Sequence, residues 1–240
     1  MGDFAAAAAV AEEGLRIATA VDHPYSVALA QWGAGTWRAF QGSFPEALVW
    51  LERSLAACRR DGYFFFPPVA ARTAGIYARL GRVGEAVALV EEAVERERTT
   101  RLTFSQPVTY TLLAEAYLLS GRVADALQSA RQALDLHRAR KQRGFEADTL
   151  HVLGEIQARH EPPGGPGAEE SYRGALALAD DLGARPLAAR CHLGLGRLYR
   201  QAGRGRAAEG HLLTARTMLA DMEMPVWLEQ ADAELGRLAG

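Results

Sequence analysis

The chain is poor in lysine and cysteine and has no long apolar run. Lys141 is the only lysine among 27 basic residues, so the phosphate-binding loop GxxxxGK[ST], which requires a lysine, is absent. Cys58 and Cys191 are too few for a disulfide framework and are expected to be reduced thiols. No run of about 20 uncharged apolar residues occurs, as a membrane-spanning helix would need. These absences predict a cytoplasmic protein without a Walker-type ATP site and without a membrane segment.

The composition allows a substantial core but no strong long-range electrostatic attraction. The 240 residues are 49% hydrophobic, and the formal net charge is −2. A chain with so small a net charge has no global field that draws it to nucleic acid or to an acidic membrane surface. We therefore expect neither as a partner.

A pattern of small, aromatic and turn residues recurs along the chain. Its last copy has Gly196, Tyr199, the turn glycine Gly203, Ala208 and Ala215. Small residues at such positions let two helices approach closely, and a glycine allows the chain to reverse. The marks equivalent to Gly196 differ by 39, 40, 40 and 42 residues and are Gly35, Ala74, Ala114, Gly154 and Gly196 itself. A period near 40 over five copies predicts a solenoid of helical hairpins.

The pattern resembles the tetratricopeptide repeat, which has a small residue at its eighth position, Tyr at the eleventh and Ala at the twentieth and twenty-seventh. The first copy departs from it with Arg38 in the Tyr place, and the fourth with Gln157 and a turn enlarged by the Pro/Gly-rich segment 161–167. The resemblance implies an all-α, right-handed superhelical solenoid in a single domain, 1–240. Its expected parts are a half repeat 4–19, repeats at about 24–61, 66–99, 106–140, 145–182 and 186–221, and a cap helix 225–238.

The two ends of the chain give different expectations. The segment from Pro225 to Leu238 reads as an amphipathic cap whose polar face carries Glu229, Gln230, Asp232, Glu234 and Arg237. At the other end, Gly2 lies 40 residues before the turn glycine Gly42, so the first helix lacks its hairpin partner. This predicts a piece of a longer protein or a shortened gene product, with an exposed apolar edge at which two copies could form a homodimer.

Residues with catalytic or metal-binding potential occur without a complete motif. His151 and Glu155 are four residues apart, as metal ligands on one helix face can be, but no second histidine completes a zinc motif. Cys191 and His192 are adjacent, so on a helix their side chains diverge by about 100° and cannot form a nucleophilic dyad. The sequence therefore predicts no enzyme activity, no cofactor and no metal.

The repeat resemblance implies a ligand site as well. In tetratricopeptide proteins the first helices of the pairs line a concave face, which would run here from apolar through acidic to basic. A protein or peptide with an apolar anchor and mixed charge would complement it. The aromatic stretch Tyr63–Pro68 either extends the apolar end or packs as a wedge between repeats. The implied ligand residues are Trp32, Thr36, Thr111, Glu115, His151, Glu155, Arg190, Arg197 and Arg200.

A more specific resemblance concerns the last third of the chain. Gly183–Leu187, Cys191–Tyr199, His211–Ala215 and Met224–Leu228 look like the C-terminal repeats of bacterial signalling proteins with class III nucleotide cyclase and P-loop ATPase domains. Asp22–Tyr25 fits that group too. The resemblance implies a non-catalytic regulatory module that binds a protein or peptide. The alternative is a small-molecule sensor that controls an attached ATPase or cyclase.

Overall fold

The architecture is that of a computed structural model, which describes residues 3–100, 106–160 and 165–239. Every regular element in these ranges is an α-helix, so the predicted all-α fold is confirmed. Gly2 and residues 161–164 of the Pro/Gly-rich segment lie outside the described residues. The helices are α1 (Phe4–Ala20), α2 (Pro24–Gln41), α3 (Phe44–Asp61), α4 (Phe66–Arg79), α5 (Val83–Thr100), α6 (Gln106–Leu119), α7 (Val123–Ala139), α8 (Arg143–His160), α9 (Pro166–Asp181), α10 (Arg185–Gln201), α11 (Gly205–Asp221) and α12 (Pro225–Ala239).

The turns within the hairpins follow from local sequence. Gly81 has a φ of 79° and Gly203 a φ of 71°, in the left-handed region where side chains are strained. The amide of the arginine that follows each glycine donates back to the carbonyl of a tyrosine, Tyr77 or Tyr199, at 2.8 Å. This is the hydrogen-bond pattern of a Schellman helix end. The turn glycines Gly81 and Gly203 therefore end the helices that precede them.

The arginine after the turn glycine also lies over the tyrosine ring. A guanidinium stacks on an aromatic face better than a lysine ammonium does, because it is planar and weakly hydrated. In the first copy the tyrosine position is occupied by Arg38. Its guanidinium carbon lies 4.4 Å from the ring centroid of Trp37. The guanidinium-to-centroid distances are 4.0 Å for Arg82 and Tyr77, 4.5 Å for Arg122 and Tyr117, and 4.1 Å for Arg204 and Tyr199.

Three turns between successive hairpins use non-glycine residues in the left-handed region. Asp22, Lys141 and Glu223 have φ angles of 52°, 55° and 51°. Residues with a Cβ adopt this region rarely. Lys141 is exposed in the turn between α7 and α8.

The chain divides into two compact units, Asp3–Ser129 and Ala130–Gly240, with the boundary inside α7. In the first unit α2 packs on α3, and α4 packs on α5 and α6. In the second unit α8 packs on α9, α10 packs on α9 and α11, and α11 packs on α12. The single domain expected for 1–240 stays a prediction.

Small residues at the repeat marks allow the close packing within each hairpin. A Cβ on Gly35 would lie 2.6 Å from Cγ of Leu51, and one on Gly196 would lie 2.6 Å from Cγ of Leu212. Both leucines are fully buried. Real Cβ atoms do not approach other atoms so closely, so these two positions require glycine.

The aromatic stretch after α3 is mostly buried. Phe65, Phe66, Pro67 and Pro68 are buried, whereas Phe64 is exposed. Pro67 and Pro68 stand in the first turn of α4, where a missing amide proton costs nothing. The second half of the stretch is therefore packed in the interior.

Candidate functional site

The predicted apolar residue Trp32 belongs to an aromatic cluster in the N-terminal unit, formed by Tyr25, Trp32, Tyr63, Phe64 and Phe65. The half-buried ring of Trp32 stacks on Phe65, with centroids 5.9 Å apart and planes inclined by 13°. Tyr25 meets Tyr63 and Phe65 edge-on at 5.2 Å and 5.3 Å. The cluster thus combines a buried ring, Phe65, with half-buried and exposed rings around it.

Thr36 lies one helical turn after Trp32 in α2. Its Oγ1 is buried and has no hydrogen-bond partner within the described part of the chain. A buried hydroxyl without a partner is destabilising.

The predicted residues Glu115 and Thr111 of the same unit are occupied by intramolecular contacts. Glu115 in α6 forms ion pairs with Arg79 and, at 3.8 Å, with Arg72, both in α4. The hydroxyl of Thr111 donates to the carbonyl of Pro107 at 3.1 Å in its own helix. The structure thus places Glu115 in a bridge between neighbouring first helices.

In the C-terminal unit, His151 and Glu155 share a polar network with Tyr172. The Tyr172 hydroxyl donates to Oε1 of Glu155 at 2.7 Å, and the buried His151 ring lies 5.8 Å from the Tyr172 ring. Burial acts to raise the pKa of Glu155, but the charges of His151 and Arg197 and the Tyr172 hydrogen bond outweigh it and lower this pKa. Glu155 is therefore an ionised carboxylate engaged by its neighbours.

Arg190 in α10 has fewer side-chain partners than Glu155 has. Its Nη2 lies 3.5 Å from Nδ1 of His151, and its guanidinium carbon lies 4.9 Å from the ring centroid of Trp227 in α12. Nε of Arg190 is buried and has no acceptor among the described residues. No acidic side chain in these residues forms an ion pair with Arg190. Arg190 is thus a half-buried cation without a carboxylate partner in these residues.

Arg197 and Arg200 have partners on the cap helix. Arg200 Nε donates to Oε2 of Glu234 at 2.7 Å, and Arg197 Nε lies 3.5 Å from Oε1 of the same carboxylate. Arg197 Nη2 also donates to Gln230 at 2.6 Å. Because Glu234 is only 6% exposed, these contacts neutralise the basic end of the predicted surface from within the chain.

The sequence interpretation of Glu234 as part of a solvent-facing polar side of the cap is wrong. Glu234 follows Trp227 by seven residues, which is about two helical turns, so the two share a face. Trp227 is buried as well. The spacing in the sequence therefore indicates that Glu234 shares the buried face of α12. Burial of its carboxylate depends on Arg197 and Arg200 of α10, which pair with it.

Cys191 and His192 do not interact as nucleophile and base. Cys191 is fully buried, and burial raises the pKa of its thiol far above the usual value. His192 instead contacts His211 of α11, with the two Nδ1 atoms 2.8 Å apart. Across the described ranges, no group of three or more histidine, cysteine, aspartate and glutamate side chains is arranged to hold a metal ion.

Comparisons with known proteins agree with the repeat architecture. Residues 109–144 match the family model of the tetratricopeptide repeat. The described helices are packed as consecutive hairpins, as in a tetratricopeptide solenoid. No curated protein matches the sequence significantly. No helix in the described ranges is both long and apolar enough to cross a bilayer.

Three solved structures with a similar fold belong to three different proteins. The crystal structure of BtubC from P. vanneervenii is 19% identical, with a TM-score of 0.60 and coverage of 92% of this chain and 91% of that one. A signal transduction ATPase with numerous domains (STAND) and a tetratricopeptide repeat sensor, from Pyrococcus horikoshii, is 18% identical, with a TM-score of 0.63 and coverage of 89% and 32%. NprR in complex with its cognate peptide NprX is 20% identical, with a TM-score of 0.64 and coverage of 95% and 65%.

These likenesses establish the fold and leave the ligand open. This chain spans about a third of the STAND protein and 65% of NprR. At these identities the shared property is the tetratricopeptide-type array of helical hairpins.

Proposed function

We propose that the chain is a non-catalytic module that binds a protein or peptide, and that the C-terminal unit binds an acidic group of this partner at Arg190. The observation that carries the proposal is the half-buried guanidinium between His151 and Trp227, whose Nε has no acceptor in the described residues. Burying a charge without a counter-charge costs stability. A ligand carboxylate would offset this cost through a charge-assisted hydrogen bond.

The surroundings of Arg190 favour a planar, anionic group. Trp227 lies against the guanidinium and restricts its orientation. Arg197 and Arg200 already have Glu234, and Glu155 has Tyr172, so Arg190 is the member of the predicted set in this unit that remains available. An aspartate, a glutamate or a chain-terminal carboxylate would suit it.

The N-terminal unit offers a separate apolar surface. The aromatic cluster leaves Phe64 exposed and Trp32 half-buried, with the unpartnered hydroxyl of Thr36 one turn away. Aromatic rings of this kind serve as anchors at protein interfaces, because they bury a large area with few rotatable bonds. We propose it as the place for an apolar side chain of a partner.

We further propose that the module regulates a larger bacterial signalling protein. The sequence resemblance to repeats of cyclase and ATPase proteins supports this, as does the fold likeness to the sensor of a STAND ATPase and to NprR, which binds the peptide NprX. A sensor for a small carboxylate would use the same Arg190, so the ligand class has to be tested directly.

The test is selection of random peptides displayed on phage against the purified chain, followed by fluorescence anisotropy with each enriched peptide. We expect the enriched peptides to carry an acidic residue or a free carboxylate, and Arg190→Ala to weaken their binding by at least about tenfold, the loss expected for one charged hydrogen-bonded contact. The matched control is Arg206→Ala, which removes an exposed arginine from α11.

Peptides that bind Arg190→Ala as tightly as the unchanged protein would refute this site. If no peptide is enriched but native mass spectrometry finds a small carboxylate that Arg190→Ala fails to retain, the module is a small-molecule sensor.

A further inference from the structure

His192 and His211 bring two imidazole nitrogens together across one hairpin. His192 lies in α10 and His211 in α11, on either side of the turn glycine Gly203. Their Nδ1 atoms are 2.8 Å apart, and their ring centroids are 5.0 Å apart. The two residues are 19 positions apart in the chain, so no short metal-binding motif links them. The pair arises from the packing of the two helices.

The separation of the two Nδ1 atoms is close to that of two nitrogen ligands on one metal ion. With bonds of about 2.0 to 2.1 Å, two such ligands lie about 2.9 Å apart at a right angle and about 3.3 Å apart at the tetrahedral angle. A movement of about 0.5 Å or less, with rotation of the rings, would therefore turn the hydrogen-bonded pair into a chelating pair. Imidazole nitrogen is a preferred ligand of zinc, nickel and copper ions.

The pair can become two ligands without a change in its net charge. In the contact at 2.8 Å one Nδ1 donates its hydrogen and the other accepts it, so the accepting ring already directs a lone pair at its partner. The donating ring becomes a ligand when Nδ1 loses its proton to water and Nε2 takes one up. This step changes the tautomer and keeps the imidazole neutral. Both Nδ1 lone pairs then face the same ion.

The two rings are restricted in position but are not closed to solvent. The His211 ring lies against the ring of Tyr199, with centroids 5.4 Å apart, and Tyr199 is almost fully buried. His192 and His211 themselves are half-buried. Ligands that are already ordered lose little side-chain freedom on binding. No third protein ligand completes the site in the described ranges, so water would occupy the remaining positions of the metal.

The charges around the pair include an available carboxylate. Asp180 of α9 acts electrostatically on His192, is exposed, and forms no ion pair within the described part of the chain. At His211 the charge of Glu169 acts in the same sense, and Arg173, which donates to Glu169 at 3.0 Å, opposes it. Asp180 therefore supplies the net attraction for a cation.

We propose that His192 and His211 bind Zn²⁺, or another divalent ion that prefers imidazole, through their Nδ1 atoms. The ion joins α10 to α11 in the hairpin whose first helix also carries Arg190, so its binding stabilises this part of the C-terminal unit. With two protein ligands we expect a Kd of about 1 to 100 µM, much weaker than that of a structural site with four. The metal site does not depend on the acidic ligand proposed at Arg190.

The test is isothermal titration calorimetry of the tag-free chain with ZnCl₂ at about pH 7.5, where neutral imidazoles predominate. We expect one Zn²⁺ per chain. His192→Gln and His211→Gln should each raise the Kd by at least about tenfold, because the loss of either ring leaves a single protein ligand. The matched control is His160→Gln, which removes an exposed histidine from the end of α8 and should leave the Kd unchanged.

NMR of the imidazole nitrogens reports on the ligand atoms themselves. Among the six histidines, two Nδ1 signals should shift with Zn²⁺ and return when EDTA is added. Circular dichroism of each variant without metal checks that the helices are intact. An unchanged Kd in His192→Gln or in His211→Gln overturns the proposal. A Kd above about 1 mM for the unchanged chain does so too, because the pair is then a hydrogen bond between two rings and no metal site.

Discussion

At the scale of single residues, Glu97 is an acidic side chain whose surroundings disfavour its charged form. It lies near the end of α5, is only 5% exposed, and its Oε1 has no hydrogen-bond partner in the described part of the chain. Burial raises its pKa to about 7, although a hydrogen bond with Thr109 acts in the opposite direction. Glu97 follows the buried residue Ala93 by four residues, so helical spacing places it on the buried face of α5.

The pH dependence of stability follows from this shift. An unfolded glutamate titrates near 4.5, so between about pH 4.5 and pH 7 the folded chain binds a proton that the unfolded chain has lost. The folded state is therefore destabilised as pH rises through this window, and the full penalty persists above it. Glu97→Gln removes the charge and should stabilise the protein at pH 8 by up to about 3 kcal/mol.

Urea unfolding at pH 8 and pH 4 measures the effect of Glu97→Gln. Most of the gain should disappear at pH 4, where the glutamate is largely protonated in both states. Glu95→Gln, at an exposed position that pairs with Arg98, serves as the control and should bring no such gain. An equal effect of Glu97→Gln at both pH values would contradict the assignment.

At the scale of helix pairs, the missing side chain at Gly196 allows α10 and α11 to pack closely. A Cβ on Gly196 would lie 2.6 Å from Cγ and Cδ2 of Leu212 and 3.3 Å from its backbone nitrogen. Because Leu212 is fully buried, it has no room to withdraw. Gly196→Ala should therefore destabilise the protein by about 1 to 3 kcal/mol, despite the better helix propensity of alanine.

Gly210 in α11 provides the comparison within the same hairpin. Nothing lies within 4 Å of its Cβ position, so Gly210→Ala should stabilise by up to about 1 kcal/mol through helix propensity alone. Thermal unfolding of both variants measures the difference. Two shifts in the same direction would show that propensity outweighs packing in this hairpin.

The histidine pair between the same two helices gives the hairpin an acid sensitivity. With the Nδ1 atoms of His192 and His211 2.8 Å apart, one ring must donate and the other accept, so two charged rings are excluded in this geometry. Burial lowers the pKa of both, the neighbouring His192 lowers that of His211 further, and Arg173 acts on it in the same sense. Asp180 opposes the shift at His192, and Glu169 opposes it at His211.

A histidine whose folded pKa is depressed contributes stability above the unfolded value of 6.5 and loses it as pH falls below that value. The melting temperature should therefore decrease below pH 6.5, and decrease less in His211→Gln. His160→Gln, at the exposed end of α8, should keep the full decrease. An unchanged slope in His211→Gln would assign the acid sensitivity to other groups.

At the scale of the whole chain, the helices could be predicted from sequence because their signals are local. Gly196 and its equivalents, and the turn glycines such as Gly203, act within one hairpin and recur with the period. The repeat identity at 109–144 is confirmed by the family model. The left-handed turns at Asp22, Lys141 and Glu223 were missed, because none of these residues is the glycine that the repeat pattern uses at its turns.

The candidate site was less predictable, because it depends on contacts between helices that are distant in sequence. The repeat resemblance pointed to the first-helix positions, including Arg190 and Arg197. It could not say that Glu234, more than thirty residues later, neutralises Arg197 and leaves Arg190 with Trp227. Which charges remain available is decided by side-chain pairing across repeats, which a periodic pattern does not encode.

The turn at Lys141 has a practical consequence. It holds the only lysine of the chain, and this lysine is exposed. Reagents that acylate amines would therefore modify one side chain, apart from the terminal amine, and a lysine-specific protease would have a single bond to cut. Lys141 is therefore a single site at which a dye or a tether can be attached without touching the tyrosine–arginine stacks.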